Sequence, residues 1–297
     1  MWLVHEGSGM KKSGKKELLR QKIAKKESML VAFSGGVDSA LLAALARDIL
    51  PDKTSCVFID SPLMPRSERQ EAEQVARDLH IPLEIITVPL LRNEKIRKNP
   101  VDRCYHCKKM IAGILKQRAG ELGVASIADG SNVSDLEEYR PGLTAMTEEG
   151  IAHPFIEAGM TKQDIRNLAR KSRYSFWNKL SAPCLASRIA YGDEITTEKL
   201  AMVERAEAYL KGNGLLPVRV RMHGAIARIE VDKKDMVRIF TMQEELVRVF
   251  KQIGFSFVTV DLEGYRSGSM DKVRYPYLED TIISRKDDKA AMTKRGR

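Results

Sequence analysis

Four cysteines in 297 residues are too few for a disulfide scaffold, and no stretch approaches the ~18 consecutive apolar residues that a membrane-spanning helix requires. The N-terminus lacks an apolar segment followed by a cleavage site, and no internal repeat is present. These absences speak against membrane and secreted proteins, so a reducing cytoplasm is expected. A surface of one sign is also missing. The formal net charge is +10, but residues 1–26 hold eight basic against two acidic side chains and residues 271–297 hold eight against five, which leaves the body nearly neutral. Basic tails on a near-neutral enzyme fit this pattern better than an electrostatic nucleic-acid surface, and no nucleic-acid partner is expected. With 43% hydrophobic and 30% charged residues, the chain can build one or two packed domains.

What is present alternates. The apolar run 29–33, the glycine turn Ser34-Gly35-Gly36-Val37-Asp38-Ser39 and the Ala/Leu-rich stretch 40–50 read as strand, turn and helix. Strands over 55–59, 83–88 and 125–128 alternate with helices over 66–79 and 105–122, which predicts an α/β, Rossmann-like parallel sheet covered on both faces. A helix over 161–173 is capped by Thr161 with Asp164 three residues on. From 196 the pattern changes to a helix through 210, strands over 218–222 and 226–231, a helix over 234–253 and a strand over 256–262. The expected domains are a basic extension (1–28), the sheet domain (29–193), a second, smaller α/β domain (194–270) and a charged tail (271–297).

A strand that feeds a glycine turn and opens into a helix aims backbone N–H groups and the hydroxyls of Ser34 and Ser39 at one point beside a positive helix end. Gly35 and Gly36 permit the tight turn, and Asp38 can place Mg²⁺ or orient the loop. An ordinary glycine turn is the alternative. The Ser-Gly-Gly-x-Asp-Ser pattern resembles the PP-loop of ATP pyrophosphatases, members of the HUP class, which bind the pyrophosphate of ATP while a substrate oxygen is adenylylated. The segment from Gly9 to Lys16 is not a Walker-type loop, because no Ser or Thr follows Gly-Lys and no strand precedes it. After the last strand of the sheet, Asp129 and Asn132 lie in a polar segment that would close over the nucleotide or form a solvent-facing turn.

Cys104 and Cys107 have chelating spacing, and Cys184 precedes a cation, Arg188, that would favour thiolate. Three thiolates can hold three irons of a [4Fe–4S] cluster and leave the fourth open for a labile sulfide. A closed zinc site with His106 or His153, or thiols without a ligand, are the alternatives. Cys56, inside an apolar strand, is expected in the core. Arg219 and Arg221 alternate onto one face of a predicted strand, either as a phosphate-binding pair or as a solvated face.

With the glycine turn, residues 99–109 around the cysteine pair, the Asp129 segment, residues 184–188, Arg219-Val220-Arg221 and residues 261–269 in this order, the chain resembles the LarE family from about Met29 to Met270. Members are ATP-dependent sulfur transferases that convert pyridinium-3,5-dicarboxylate mononucleotide to its bis-thiocarboxylate on the way to the nickel-pincer nucleotide. The resemblance implies that Cys184 is the sulfur-bearing cysteine, that Arg188 and Glu207 neighbour the reacting site, and that Arg219 and Arg221 hold the mononucleotide phosphate. The additional Cys104 and Cys107 match the branch in which three cysteines hold a [4Fe–4S] cluster supplied with sulfide or another sulfur donor, rather than the branch that sacrifices a single cysteine. ATP, Mg²⁺ and assembly into homo-oligomers, hexamers among them, through the smaller domain follow from the same resemblance. A tRNA thiolase of the PP-loop class would share the loop and the three cysteines but would bring a zinc ribbon or RNA-binding module. An ammonia-using ligase has no use for the cysteines. A non-catalytic nucleotide-binding protein would keep the loop and release no pyrophosphate.

Overall fold

Every residue of the strand Met29–Ala32 (β1) is apolar, and the strand lies inside a sheet where both of its faces are covered. A computed structural model describes residues 12–137, 140–180, 183–266 and 269–270, in two units. The first runs to residue 97 and resumes over 102–184; the second takes 98–101 and the residues from 185 onward. No helix among the described residues is long and apolar enough to cross a membrane.

In the first unit β1 is flanked by β2 (Thr54–Asp60) and β4 (Ser126–Ala128), and β2 also pairs with β3 (Leu83–Thr87), giving the order β3-β2-β1-β4 with every pair parallel. Around it lie α1 (Lys12–Ala24), α2 (Val37–Ile49), α3 (Arg66–Asp78), α4 (Glu94–Arg97), α5 (Arg103–Glu121), α6 (Pro141–Glu148), α7 (Pro154–Glu157) and α8 (Lys162–Lys171). Because side chains alternate along a strand, Met29 and Val31 join one core with Leu41, Phe58 and Phe155. Leu30 joins another with Val57, Leu115 and Ile127. The α/β parallel architecture read from the sequence is the one observed. In such a sheet, crossover helices begin at the carboxyl edge of the strands. The glycine turn after β1, the Asp129 segment after β4 and the first turn of α5 therefore share that edge.

Two expectations need correction. The basic lead-in is not a loose extension from Lys12 onward: α1 buries Leu19 and Ile23 completely in the first core, and Lys15 pairs with Asp164 at 2.8 Å. The division between units falls after Cys184, ahead of the 193/194 boundary drawn from sequence. Arg188 is the reason, since it is bound to Glu207 and so fixes Leu185–Arg188 to the second unit.

The second unit contains α9 (Thr197–Gly212), β5 (Val218–His223), β6 (Ile226–Val231), α10 (Met236–Thr241), α11 (Gln243–Ile253) and β7 (Phe257–Val260). Its sheet has the order β5-β6-β7, with β5 and β6 antiparallel and β6 and β7 parallel. The single helix expected over 234–253 is broken at Met242, whose φ of −106° and ψ of 14° end α10 before α11 starts. Residues 1–11, Glu138, Tyr139, Ser181, Ala182, Ser267, Gly268 and 271–297 lie outside the described residues, and with them the start of the basic extension and the expected charged tail.

Candidate active site

The glycine turn is built by close approach. Gly35 has φ +71°, and a Cβ there would sit 2.7 Å from Ala72 Cα, so only glycine lets α3 press on the turn. A Cβ on Gly130 would sit 2.7 Å from the backbone nitrogen of Ser39, so the segment after β4 seats directly against the start of α2. Ser39 is buried. Its Oγ accepts from the Ser34 N–H (3.1 Å), lies 3.0 Å from Ser34 Oγ and donates to the Gly36 carbonyl (3.2 Å). Ser39 thus braces the loop, while Ser34 and Gly36 line its open side.

Asp38 forms an ion pair with Lys162, and its Oδ1 is buried with no hydrogen-bond partner among the described residues. Burial raises its pKa against the pull of Lys162. An orphaned carboxylate oxygen at a phosphate loop is a fit for Mg²⁺, which ligates oxygen. Sequence reasoning missed two lysines here. Lys162 opens α8 because Thr161 caps that helix through the Asp164 N–H (3.2 Å), a cap the sequence did show. Lys179 had no signature; it donates to the Gly35 carbonyl (3.3 Å) and pairs with Glu68 (3.0 Å) and Glu71 (2.8 Å). Ser34, Gly36, Asp38, Met64, Lys162 and Lys179 line a cleft of about 110 Å³. That is smaller than the ~300–1,000 Å³ of pockets that engulf a whole ligand, and suits a phosphate group.

Asp129 is held by His153 (2.8 Å) and the Ser131 N–H (2.9 Å), and His153 reaches Thr147 Oγ1 (2.9 Å) with its other nitrogen. Burial opposes ionisation of Asp129, but the His153 contact outweighs it and the pKa is lowered. Asn132 caps the short turn Val133–Leu136, its side chain accepting from Ser134 while Asp135 accepts from its N–H (2.9 Å). Both residues therefore shape the polar segment beside the loop.

Cys104 and Cys107 stand on the first turn of α5, three residues apart and so on one helix face. Burial, then the nearby Cys184 and Cys104 thiols, push Cys107 up to about 12, despite Lys108 and Arg103. Cys104 and Cys184 thus lie within electrostatic reach of Cys107. Among the described residues no three His, Cys, Asp or Glu side chains are gathered closely enough to hold a metal ion. Of the imidazoles named for a zinc site, both ring nitrogens of His153 are engaged, whereas His106 is held to Asp102 through Nε2 at 3.1 Å. Cys56 is buried in β2 as expected, its pKa raised by burial to about 12.

In the second unit Arg188 grips Glu207 with two nitrogens (2.8 and 3.1 Å), and Glu207 also accepts from the Val220 N–H (3.2 Å). Burial opposes the charge on Glu207, yet Arg188 lowers its pKa. The cation expected to activate Cys184 is thus already committed to a carboxylate. Arg221 pairs with the fully buried Glu230 (2.9 and 3.1 Å). Arg219 lies over the Tyr265 ring at 5.4 Å, its pKa lowered by burial and then by Arg188. The face on which they alternate is buried, not solvated.

Residues 13–122 match the NAD synthase family, a span that includes the glycine turn and the cysteine pair. An uncharacterised protein of Synechocystis is 38% identical over 87% of this chain and 97% of its own. The pyridinium-3,5-bisthiocarboxylic acid mononucleotide synthase of Lactiplantibacillus plantarum is 36% identical over 82% of this chain and 89% of its own length. The chain belongs to the LarE family. An uncharacterised Methanocaldococcus jannaschii protein is 34% identical over 85% of the chain and 96% of its own length. The LarE assignment covers both units, whereas the NAD synthase match ends within the first.

Proposed function

We propose that this protein is an ATP-dependent sulfur transferase that adenylylates the carboxylates of pyridinium-3,5-dicarboxylate mononucleotide and converts them to thiocarboxylates; its L. plantarum relative is named as a synthase of the bisthiocarboxylic acid mononucleotide. What supports the reading is the phosphate-binding turn after β1, with an Asp38 oxygen left without a partner, and the Cys104 and Cys107 pair at the start of α5. The N–H groups of the turn, with Lys162 and Lys179, receive pyrophosphate, and the free oxygen of Asp38 takes Mg²⁺. A substrate carboxylate oxygen attacks the α-phosphorus of ATP, the bond to the bridging oxygen breaks, and pyrophosphate leaves. A sulfur nucleophile then adds to the activated carbonyl carbon; the bond to AMP breaks, AMP departs with the former carboxylate oxygen, and a thiocarboxylate remains. The second carboxylate repeats the cycle.

Arg219 and Arg221 bind the mononucleotide phosphate. A phosphate beside Arg219 offsets the burial and the repulsion from Arg188 that together lower its pKa. Arg188 and Glu207 fix the backbone that follows Cys184. Cys104, Cys107 and Cys184 would be the residues to hold a [4Fe–4S] cluster, which would supply iron for binding sulfide. Self-association uses the second unit, where Val237, Phe240, Phe257 and Leu262 are exposed apolar side chains. The cytoplasm is the compartment in which such thiols stay reduced.

Anaerobically prepared protein is expected to carry about four irons per chain with broad iron–sulfur absorbance, and Cys104→Ala, Cys107→Ala and Cys184→Ala each to lose them. Full occupancy in the Cys184→Ala protein would remove that residue from the ligand set. ATP with the dicarboxylate mononucleotide is expected to yield pyrophosphate; a nucleotide-binding regulator would yield none.

A further inference from the structure

The cation expected beside a thiol was Arg188, and its guanidinium is held by Glu207. A different cation stands on a sulfur. Arg103, the first residue of α5, is only 2% exposed, and its Nη2 donates to Cys104 Sγ at 3.5 Å. Its positive charge also acts on Cys107, three residues beyond Cys104 on the same helix face. Both cysteines lie at the N-terminal end of the helix, where the dipole is positive.

A neutral thiol is a weak acceptor, whereas a thiolate in the same place takes the N–H as a charge-assisted hydrogen bond, about twice as strong as a neutral one. The contact therefore suits a sulfur that carries negative charge, the state in which a cysteine ligates iron. Three thiols fit an iron–sulfur group in a further respect. Such a group spreads its ligands over separate irons, so the sulfurs need not crowd a single ion, and among the described residues they do not. The geometry points to Arg103 as a positioning residue that acts through Cys104: its N–H holds negative charge on that sulfur, and its cation offsets the charge that three thiolates bring together, so that an anionic sulfur donor such as hydrosulfide can approach.

The inference rests on the reading of Cys104, Cys107 and Cys184 as the ligands of a [4Fe–4S] cluster. Hydrogen bonds to the sulfurs and net charge set the potential of such a group, and a cation that donates to a ligand sulfur favours the reduced, more negative form. The test is the midpoint potential of the anaerobically prepared protein, with iron content and the affinity for sulfide, read by absorbance, measured on the same samples. In Arg103→Met the equilibrium for reduction falls about tenfold, a shift of about 59 mV to lower potential for one electron, and sulfide binds about threefold more weakly. Arg103→Lys keeps the cation and recovers the larger part of both. An Arg103→Met protein with full iron content and the wild-type value of either quantity overturns the proposal. If that variant fails to fold or to take up iron, wild-type protein carrying 15N-arginine decides. Pulsed EPR of its reduced form is expected to show a weak nitrogen coupling that Arg103→Lys abolishes; no coupling, or one that survives in Arg103→Lys, overturns the proposal. A wild-type protein that takes up no iron would overturn the ligand reading, and the proposal with it.

Discussion

Asp38 in the first unit and Glu207 in the second are both carboxylates taken out of water and both face a cation, yet their pKa values move in opposite directions. Glu207 has a two-pronged Arg188, a backbone N–H and Lys211 at 3.7 Å, and these outweigh its burial. Asp38 has one lysine and an oxygen with no partner, so burial wins. A saturated carboxylate holds a structure together, whereas an unsaturated one is prepared for something that arrives later. The second unit is built mainly on the first pattern, and the nucleotide cleft on the second.

The largest effect should come from breaking the saturated pair. Arg188→Met leaves Glu207 buried without its main cation and is expected to cost ~3–5 kcal/mol in urea unfolding. Replacing both partners by apolar residues should recover most of that loss; no recovery would mean that the pair does more than satisfy itself. In the cleft, Lys162→Met removes the cation from a carboxylate already short of partners. MgATP affinity measured by calorimetry should then fall by at least about tenfold, with a smaller change in stability than at Arg188. Asp38→Asn sharpens the contrast further. Removing a charge that burial disfavours should leave the fold unchanged or up to ~1 kcal/mol more stable, while MgATP-dependent pyrophosphate release is lost.

The same contrast sets the order of events in acid. Glu207 and Asp129 have lowered pKa values, so their stabilisation is complete above the ordinary values of 4.5 and 3.8 and is lost as pH falls through the lower folded-state values. Asp38 has a raised value, so it takes up its proton at a pH above 3.8 and relieves its burial penalty as it does so. Loss of MgATP binding should therefore precede acid unfolding, with two separate midpoints when both are followed on one titration. Coincident midpoints would show that Asp38 is not the group that fails first.

How much of this was legible in the sequence follows the same division. The strand, turn and helix around Ser34–Ser39 could be read because each is local: an apolar run, a pair of glycines and an apolar helix. Helix α1 was hidden because only Leu18, Leu19 and Ile23 carry its apolar face among basic residues, two of which pair with acids far along the chain, Lys15 with Asp164 and Lys22 with Glu157. The pairing of Arg221 with Glu230 was equally out of reach. Glu230 lies on a strand between apolar neighbours and gives no local sign that it is fully buried. Lys179 is a single lysine in a connecting segment, and only the folded chain brings Gly35, Glu68 and Glu71 to it. The thiol pair was plain from its spacing, but the approach of Cys184 to Cys107 is a tertiary fact.

The most direct test of the central claim is mass spectrometry of the small molecule after anaerobic incubation of the protein with MgATP, sulfide and the dicarboxylate mononucleotide. The account predicts replacement of carboxylate oxygen by sulfur, AMP and pyrophosphate formed alongside, and no loss of sulfur from the protein. Recovery of the mononucleotide unchanged, with ATP intact, would contradict it.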